Sequence, residues 1–384
     1  MPQTIIPSQR HLFDMPDSIA YLNCAYMSPL MTSAVDAAGQ GLGYKVQPWT
    51  YAGSSFFTYT EQLRGLAAKM IHTHSDNIAL VPSASYGMQV AANNLPLSKG
   101  GEILVLKDQF PSHIYPWREK AKDCGGEIVT VERPDNGDWT QAVLDAMGAR
   151  TEIVALPATH WADGGYLDLE VISEVARHSG AKLVLDLTQS LGAMPFDVRA
   201  VQPDFMVAAG YKWLMGPYTL AYLYVVPQWQ DGAPIEHNWM NRKGSEDFSR
   251  LVDYQDAFQP GARRFDMGEK SNPAQVMAAC AALQQLLDWG VENISHTLGV
   301  RNTRLADKAR QLGLSVTEDK FRSPHYVALE FRDGVPEGLA EKLAAQNIFV
   351  SVRGNAVRVT PHVYNTDNDI ERLFEGLGYA RAQI

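Results

Sequence analysis

Short apolar runs alternate with helix-like segments through the first part of the chain. Seven such runs predict strands: Asn77–Val81, Glu102–Leu106, Glu127–Val131, Glu152–Leu156, Lys182–Leu187, Phe205–Ala208 and Leu220–Val226. Several are continuously apolar, which is typical of parallel strands covered on both faces by crossover helices. Helical periodicity covers Thr60–His72 and Leu169–His178. This alternation predicts a doubly wound α/β domain with a mostly parallel seven-stranded sheet.

The pattern changes after Val226. From there to about Arg264 the chain is polar, aromatic and rich in turn residues, and a connection of that length is usually functional or part of an interface. The elements predicted beyond it are helices over Pro273–Trp289, Val291–Leu312 and Pro336–Gln346, and strands near His325–Phe331, Ile348–Val352 and Val357–Thr360. A closing helix has apolar residues at Ile370, Leu373, Phe374 and Leu377, with Thr366 and Asp369 placed as a capping pair. We therefore predict three divisions: an N-terminal segment (1–20) that packs on the small domain, a large α/β domain (21–262) and a small C-terminal α+β domain (263–384).

The composition narrows the functional classes. Lys and Arg number 33 against 43 Asp and Glu, a net charge of −10, which argues against nucleic acid or an anionic membrane as the main partner. The cysteines, Cys24, Cys124 and Cys280, are odd in number and widely spaced, so we expect a reducing, cytoplasmic location and no disulfide framework. The histidines show no spacing typical of a metal site. Neither a secretory signal nor an apolar run of the ~20 residues needed to span a membrane is indicated.

Two single charges follow predicted strands. Asp186 ends the run Leu183-Val184-Leu185, and Lys212 comes 26 residues later, just after the strand that begins at Phe205. Ligands bind beyond the carboxyl ends of strands in such sheets, and a buried charge is costly unless something uses it. A lysine there can form a Schiff base with a carbonyl cofactor, and an aspartate can hold a protonated ring nitrogen. Taken singly, each also fits a surface lysine or a helix cap, but together they predict pyridoxal 5′-phosphate (PLP).

Five other positions fit a PLP site. The segment after the first predicted strand opens a helix, where the Ser85 hydroxyl and the Ala84 N–H can bind a phosphate, although a plain serine cap fits equally. Gln189 can reach the phenolic oxygen of the ring, and Phe110 can cover one face of the ring or belong to the core. Arg358 is a charge within an apolar strand, which fits bidentate binding of a carboxylate or a structural ion pair.

Four blocks of the chain resemble the class V aminotransferase family of fold-type I PLP enzymes, which includes cysteine desulfurases, kynureninases and isopenicillin N epimerase-like proteins. The blocks are Tyr21-Leu22-Asn23, 186–190, 210–217 and 358–366. The resemblance spans most of the chain and implies a homodimer with each active site at the interface, where the neighbouring subunit would contribute to the phosphate site near Gly268 to Asn272. It implies a substrate pocket built from 23–27, including Asn23 and Tyr26, from 229–245 and from the partner subunit.

The chain departs from desulfurases at three places. Tyr211 stands where desulfurases have a histidine, as in kynureninases, where it would touch the phosphate. Phe110-Pro111-Ser112 is likewise similar to kynureninases, whereas desulfurases stack a histidine there. Residues 348–358 contain no cysteine, although desulfurases carry a persulfide-forming cysteine on that loop. We therefore expect an enzyme that is not a persulfide-type cysteine desulfurase, and the similarity to the kynureninase substrate pocket is partial, resting on 271–273.

Together these residues predict a PLP enzyme that acts on the amino group of an α-amino acid through a Lys212 Schiff base. Transamination is the generic expectation, and β-eliminating C–S lyase, epimerase and kynureninase-like hydrolase are the alternatives. The intact set of Lys212, Asp186 and Arg358 argues against a non-catalytic PLP-binding protein. A nicotinamide dehydrogenase would need a glycine fingerprint after the first strand, but Gly39-x-Gly41-x-Gly43 precedes that strand and lies in a helical stretch.

Overall fold

A computed structural model describes residues 3–382 of the chain. The strands are β1 (Ala20–Tyr21), β2 (Ile78–Val81), β3 (Glu102–Leu106), β4 (Glu127–Val131), β5 (Thr151–Pro157), β6 (Lys182–Asp186), β7 (Phe205–Ala209), β8 (Ala221–Val225), β9 (Val327–Glu330), β10 (Ile348–Phe349), β11 (Ser351–Arg353) and β12 (Ala356–Val359). The helices are α1 (Thr32–Val46), α2 (Ser55–Met70), α3 (Ala84–Asn94), α4 (Pro111–Cys124), α5 (Trp139–Ala146), α6 (Leu169–Ser179), α7 (Val198–Val201), α8 (Pro273–Trp289), α9 (Val291–Gln311), α10 (Leu339–Ala344) and α11 (Asp367–Ala382). Residues 1, 2, 383 and 384, at the ends of the predicted divisions 1–20 and 263–384, lie outside the described residues.

Seven strands form the central sheet in the order β2-β8-β7-β6-β5-β3-β4. Neighbours from β7 to β4 pair in parallel, and β8 runs antiparallel between β2 and β7. The predicted fold is therefore confirmed, and every predicted strand of this sheet lies within one residue of its observed bounds. Strands β2, β3, β7 and β8 are buried along their whole length, as their continuous apolar sequences indicate.

The order in which the chain adds strands to the sheet changes direction between β3 and β5. The chain goes outward from β3 to β4, then returns across β3 to β5 and continues through β6 and β7. A crevice opens at such a switch point, beyond the carboxyl ends of the strands. Helix α3 lies close to this sheet because Gly87 has no side chain, since a Cβ there would come within 2.7 Å of Val207. The loops that follow β2, β3, β5, β6 and β7 therefore meet at one edge of the sheet.

The C-terminal part contains a three-stranded antiparallel sheet in the order β11-β12-β9, and a separate parallel pair of β1 with β10. The prediction of one strand over Ile348–Val352 is wrong, because β10 and β11 join different sheets. The strand predicted from His325 begins two residues later, since the His325 ring turns to the Gln189 carbonyl (Nε2···O 2.6 Å). The helix predicted from Pro336 begins only after Gly338, whose φ of +69° is incompatible with a right-handed helix.

Two other sequence features have packing explanations. The capping pair is confirmed, since Thr366 N donates to Asp369 Oδ2 at 3.1 Å and Asp369 N donates to Thr366 Oγ1 at 3.3 Å. Of the three glycines of α1, Gly41 serves helix packing, because a Cβ there would lie 2.6 Å from the backbone of Ala274 in α8. Helix α8 follows the predicted division at 262 but packs against α1 and α2, so that division stays a prediction.

Candidate active site

Asp186 and Lys212 face a common cavity of about 380 Å³ at the switch-point edge of the sheet. Asp186 is the last residue of β6 and pairs in register with Val207 of the neighbouring strand β7. Lys212 lies three residues beyond the end of β7. The cavity is also lined by the predicted residues Ala84, Ser85, Phe110, Gln189 and Tyr211. The structure thus brings together seven residues that are spread over about 130 positions of the sequence, while their individual roles stay predictions.

Lys212 is buried, with 7% of its surface exposed. Its Nζ lies 5.5 Å from the centroid of the Phe110 ring and 5.6 Å from that of Tyr211. Burial lowers the pKa of Lys212 to about 8, helped by the positive charges of Arg358 and Arg353 and opposed by Asp186. A lysine with this pKa has a sizeable neutral fraction near neutral pH, so it can act as a nucleophile and as a base.

Asp186 is held as a carboxylate by its neighbours. Its Oδ1 accepts the Thr188 N–H at 3.0 Å, and His113 Nδ1 lies 3.8 Å from its Oδ2. Burial alone would raise the pKa of Asp186, but the His113 imidazole and the Thr188 groups outweigh it and hold the pKa below its ordinary value. A buried carboxylate of this kind can accept a hydrogen bond from a protonated ring nitrogen.

His113 is a site residue that the sequence analysis missed. It is fully buried, and neither of its ring nitrogens has a hydrogen-bond partner among residues 3–382. Its Nδ1 faces the Asp186 carboxylate at 3.8 Å, so His113 can orient Asp186 and stabilise its charged form. The signal was available, because His113 directly follows the Phe110-Pro111-Ser112 motif.

The beginning of α3 offers a phosphate cradle. The helix cap is Ser83, whose Oγ accepts the Tyr86 N–H at 3.2 Å, so the capping role considered for Ser85 falls on Ser83 instead. Ser85 is exposed to the cavity side of the first turn and its Oγ lies 2.8 Å from that of Ser83. Across the cavity, Thr219 has a φ of +69°, a strained conformation for a β-branched residue and one that usually marks a functional position.

Aromatic rings enclose the middle of the cavity. Phe110 and Trp161 meet edge to face with their centroids 5.4 Å apart, and both line the cavity. The indole N–H of Trp161 donates to the Asp108 carbonyl at 2.6 Å, which fixes the ring. The sequence analysis missed Trp161, because it lies in an irregular loop after β5.

Gln189 is oriented by its own protein contacts. Its Oε1 accepts the Trp213 indole N–H at 3.0 Å, and its Nε2 donates to the Ala25 carbonyl at 3.1 Å. One N–H of the amide is left for a ligand. Gln109 Nε2, also at the cavity, is buried without a partner among the described residues, so a second amide donor is available there.

The predicted substrate residues lie beside the cavity rather than among its lining residues. Arg358 is 1% exposed, and its Nε and Nη1 donate to Ser351 Oγ at 2.8 Å and to the Trp161 carbonyl at 2.9 Å. Asn23 is buried, whereas Tyr26 is 56% exposed. The segment that carries both is tied to the site, because the Ser28 N–H donates to the Tyr211 carbonyl at 3.1 Å. The structure therefore separates a cofactor-sized cavity from a neighbouring set of substrate candidates.

The donor set fits PLP. An amine and a carboxylate occupy neighbouring strand ends, hydroxyls and free helix N–H groups lie at the start of α3, and an aromatic ring covers the middle. The unpartnered Gln109 amide is a further donor that a ligand would satisfy.

Comparison with known proteins agrees with this chemistry. The profile of the family described as "Aminotransferase class-V" matches residues 45–373. Similar curated proteins include an uncharacterized aminotransferase of Bacillus subtilis, 26% identical over 96% of this chain and 97% of that protein. Isopenicillin N epimerase of Streptomyces clavuligerus is 23% identical over 94% of each chain, and kynureninase of Deinococcus radiodurans is 28% identical over 68% of this chain and 64% of that protein.

Two solved structures share the fold over nearly the whole length. The cysteine desulfurase of Thermococcus onnurineus superposes with a TM-score of 0.87 at 20% identity, covering 100% of both chains. A C-DES variant with glycine covalently linked to PLP superposes with a TM-score of 0.85 at 20% identity, covering 95% of this chain and 97% of that one.

Proposed function

The chain belongs to the class V aminotransferase family, whose cofactor is PLP, and from this premise we propose that it acts on the amino group of an α-amino acid through Lys212, with transamination as its reaction. One observation carries the proposal: a buried lysine with its pKa lowered to about 8 shares a cavity with a carboxylate on the next strand. When bound, PLP supplies an aldehyde for the Lys212 amine and a ring that accepts electrons.

Each side chain at the cavity has a separate role in this proposal. Asp186 accepts the hydrogen bond of the ring nitrogen and so keeps that nitrogen protonated, while Gln189 donates toward the phenolic oxygen. Ser85 Oγ and the Ala84 N–H bind the phosphate at the positive end of α3, and Tyr211 adds a hydroxyl. Lys212 would then take the proton from the Cα of the amino-acid donor and, in the second half of the reaction, give a proton to the Cα of the amino acid formed from the 2-oxo acid, which its lowered pKa of about 8 allows near physiological pH.

Arg358 clamps the α-carboxylate of the substrate. Its Nε and one N–H of Nη1 are used by the protein, so the second N–H of Nη1 and the two of Nη2 remain as donors for a carboxylate. Asn23 and Tyr26 belong to the same side of the site, because 23–28 lies against the loop of Lys212.

The proposal excludes a persulfide-type desulfurase, although proteins of that kind share the fold. The hairpin and its approach, residues 348–358, contain no cysteine that could carry sulfur. Cys24 is fully buried, and burial raises the pKa of its thiol well above the ordinary value, so it is a poor nucleophile. Cys280 lies on α8, and burial raises the pKa of its thiol to about 12.

A homodimer with shared active sites is part of the proposal. Large apolar side chains are exposed along α1, just beyond it, and in the irregular stretch after β8: Val35, Leu42, Val46, Trp49, Trp239, Phe248, Leu251, Val252 and Tyr254. Such a concentration supports a protein–protein interface. Of the segment expected to reach the neighbouring site, Glu269 and Asn272 are exposed, whereas Lys270 and Ser271 are buried in their own subunit. Light scattering of the wild type and of Trp49→Glu tests the homodimer. We expect a dimeric wild type and a weakened dimer in Trp49→Glu, and a monomeric wild type would contradict the proposal.

A cytoplasmic location also stays a proposal. Its support is that the three cysteines are free thiols. Among the described residues, no helix combines the length and the apolar character needed to cross a bilayer.

The visible absorption spectrum of the PLP-loaded protein tests the reaction. A panel of amino acids is added in turn, and transamination predicts that at least one abolishes the cofactor band until a 2-oxo acid restores it. If the band returns by itself while ammonia, sulfide or alanine accumulates, the reaction is an elimination or a hydrolysis and not a transamination. If the substrate is inverted at Cα with no loss of the band and no such product, the enzyme is an epimerase. Absence of a cofactor band after addition of PLP would contradict the role of Lys212.

A further inference from the structure

A second arginine, Arg353, lies on the same face of the β11–β12 hairpin as Arg358. Ser351 pairs with Arg358 across the hairpin, and Arg353 follows Ser351 by two residues, so all three side chains leave the same face. The two-residue turn at Gly354, with a φ of +53°, holds this register. No pattern in the sequence distinguishes Arg353 as a site residue.

Trp161 connects both arginines to the cavity. The guanidinium carbons of Arg353 and of Arg358 each lie 5.8 Å from the centroid of its ring. The same ring contacts Phe110 and lines the cavity. The hydroxyl of Tyr326 donates to the Trp161 carbonyl, the atom that also accepts from Arg358, so this loop is held against the hairpin.

Neither guanidinium is neutralised among residues 3–382. The hydrogen bonds of Arg358 go to a hydroxyl and a carbonyl, and Arg353 Nη1 donates to the Val352 carbonyl at 2.7 Å. Burial and, after it, repulsion from Arg358 lower the pKa of Arg353, and both arginine charges help to lower the pKa of Lys212. Three cations gathered without a carboxylate partner for either arginine are unusual in a chain with a net charge of −10, because such a cluster destabilises the free protein. A ligand with two negative groups would offset that cost.

We propose that Arg353 binds a second anionic group at the far end of the substrate, so that the enzyme prefers amino acids with an acidic side chain to their neutral isosteres. This inference rests on the proposed function, in which Arg358 holds the α-carboxylate. Arg353 keeps its Nε and Nη2 donors for the distal group, since the protein engages only its Nη1. A carboxylate, a sulfonate or a phosphate would satisfy the same donors.

The test compares acids with their amides on the PLP-loaded protein. L-Aspartate, L-glutamate and L-cysteate are matched with L-asparagine and L-glutamine, and the rate of change of the cofactor band is followed against amino-acid concentration. We expect the wild type to favour an acid over its amide by at least about tenfold in the second-order rate constant. Arg353→Gln should abolish this preference and leave the amides within about twofold, while Arg332→Gln, at an exposed arginine after β9, should change neither.

A binding measurement decides the matter independently of turnover. Calorimetry on the PLP-loaded protein compares succinate and glutarate with butyrate, and the inference requires that a dicarboxylate bind at least about tenfold more tightly in the wild type but not in Arg353→Gln. Equal binding of dicarboxylates and butyrate by the wild type would overturn it. The inference would also be overturned if Arg353→Gln lowered the rate constants for acids and for amides by the same factor. Both arginines would then bind the α-carboxylate. If the proposed function itself were wrong, no amino acid would change the cofactor band in the wild type or in any variant, which distinguishes that outcome from a failure of the role of Arg353.

Discussion

The residues proposed to hold the cofactor all lie where strands of the central sheet end, whereas those proposed to hold the substrate combine the loop after β5 with a hairpin of the C-terminal sheet that is far away in the chain. We call Asp186 and Lys212 with the start of α3 the cofactor end, and Trp161 with Arg353 and Arg358 the substrate end. Asp186 follows β6 and Lys212 follows β7, and these strands are hydrogen-bonded neighbours. Trp161 and Arg358, 197 positions apart in the chain, meet through the hydrogen bond of Nη1 to the Trp161 carbonyl and through the guanidinium over the Trp161 ring.

The difference indicates which part of the site can change during evolution. The positions of the cofactor end are determined by the sheet itself, so altering them would disturb the packing of buried strands. The substrate end depends on a short edge hairpin and an irregular loop, which tolerate substitution more easily. A family that keeps one cofactor and many reactions is expected to be built in this way.

Removing the lysine should have the largest effect, because it serves the cofactor end and the reacting substrate together. We expect Lys212→Ala to lower turnover by about 10³-fold or more, with loss of the cofactor band, since both the nucleophile and the base disappear. Steady-state kinetics and absorption measure this, with the exposed Lys99→Ala as the matched control. Turnover above one tenth of the wild type would contradict the role of Lys212.

Replacing Arg358 should affect the substrate end alone. Arg358→Lys keeps the charge but loses the planar pair of donors, so kcat/KM for the best amino acid should fall about 10²-fold. The cofactor band and the affinity for PLP should stay within about twofold of the wild type, because Arg358 does not line the cofactor cavity. An equal loss of PLP affinity would mean that the two ends are not separate.

The comparison also explains what could be predicted from sequence. Asp186 and Lys212 were found because apolar runs define where buried strands end, and the ends of neighbouring strands meet. Trp161 and Arg353 were missed because an irregular loop and a three-residue strand carry no periodic signal, and their meeting depends on how the hairpin packs. His113 was missed for another reason: on a helix, a fully buried histidine has the same pattern as a core residue.

The pH dependence of stability should report the cost of burying the charge of Lys212. The pKa of Lys212 is about 8 in the folded protein and ~10.4 in the unfolded chain, so between these values the unfolded chain binds more protons and stability rises with pH. Without PLP, Lys212→Met should therefore be more stable than the wild type below pH ~8 by on the order of 1–3 kcal/mol, and this difference should vanish by pH ~10.4. Denaturant unfolding from pH 6 to 11 measures it, with Lys99→Met as the control. A difference that does not change with pH would show that Lys212 is protonated normally in the folded protein.

The smallest effect is expected at Thr219, which lines the cavity beside the cofactor end, and its replacement should leave the substrate end unchanged. Thr219→Gly relieves the strain of a β-branched residue at a φ of +69°, so the protein without PLP should gain about 1 kcal/mol of stability. Affinity for PLP should fall a few-fold because a hydroxyl at the cavity is lost, while KM for the amino acid stays constant. His72→Gly is a matched control, since His72 has a φ of +58° but lies outside the cavity, and it should gain stability without losing PLP affinity. If Thr219→Gly instead behaved like His72→Gly, with higher stability and unchanged affinity for PLP, the strain at Thr219 would serve the turn after Lys212 rather than the cofactor. The residues that bind the cofactor would then be limited to those that follow β2, β3 and β6 together with Lys212.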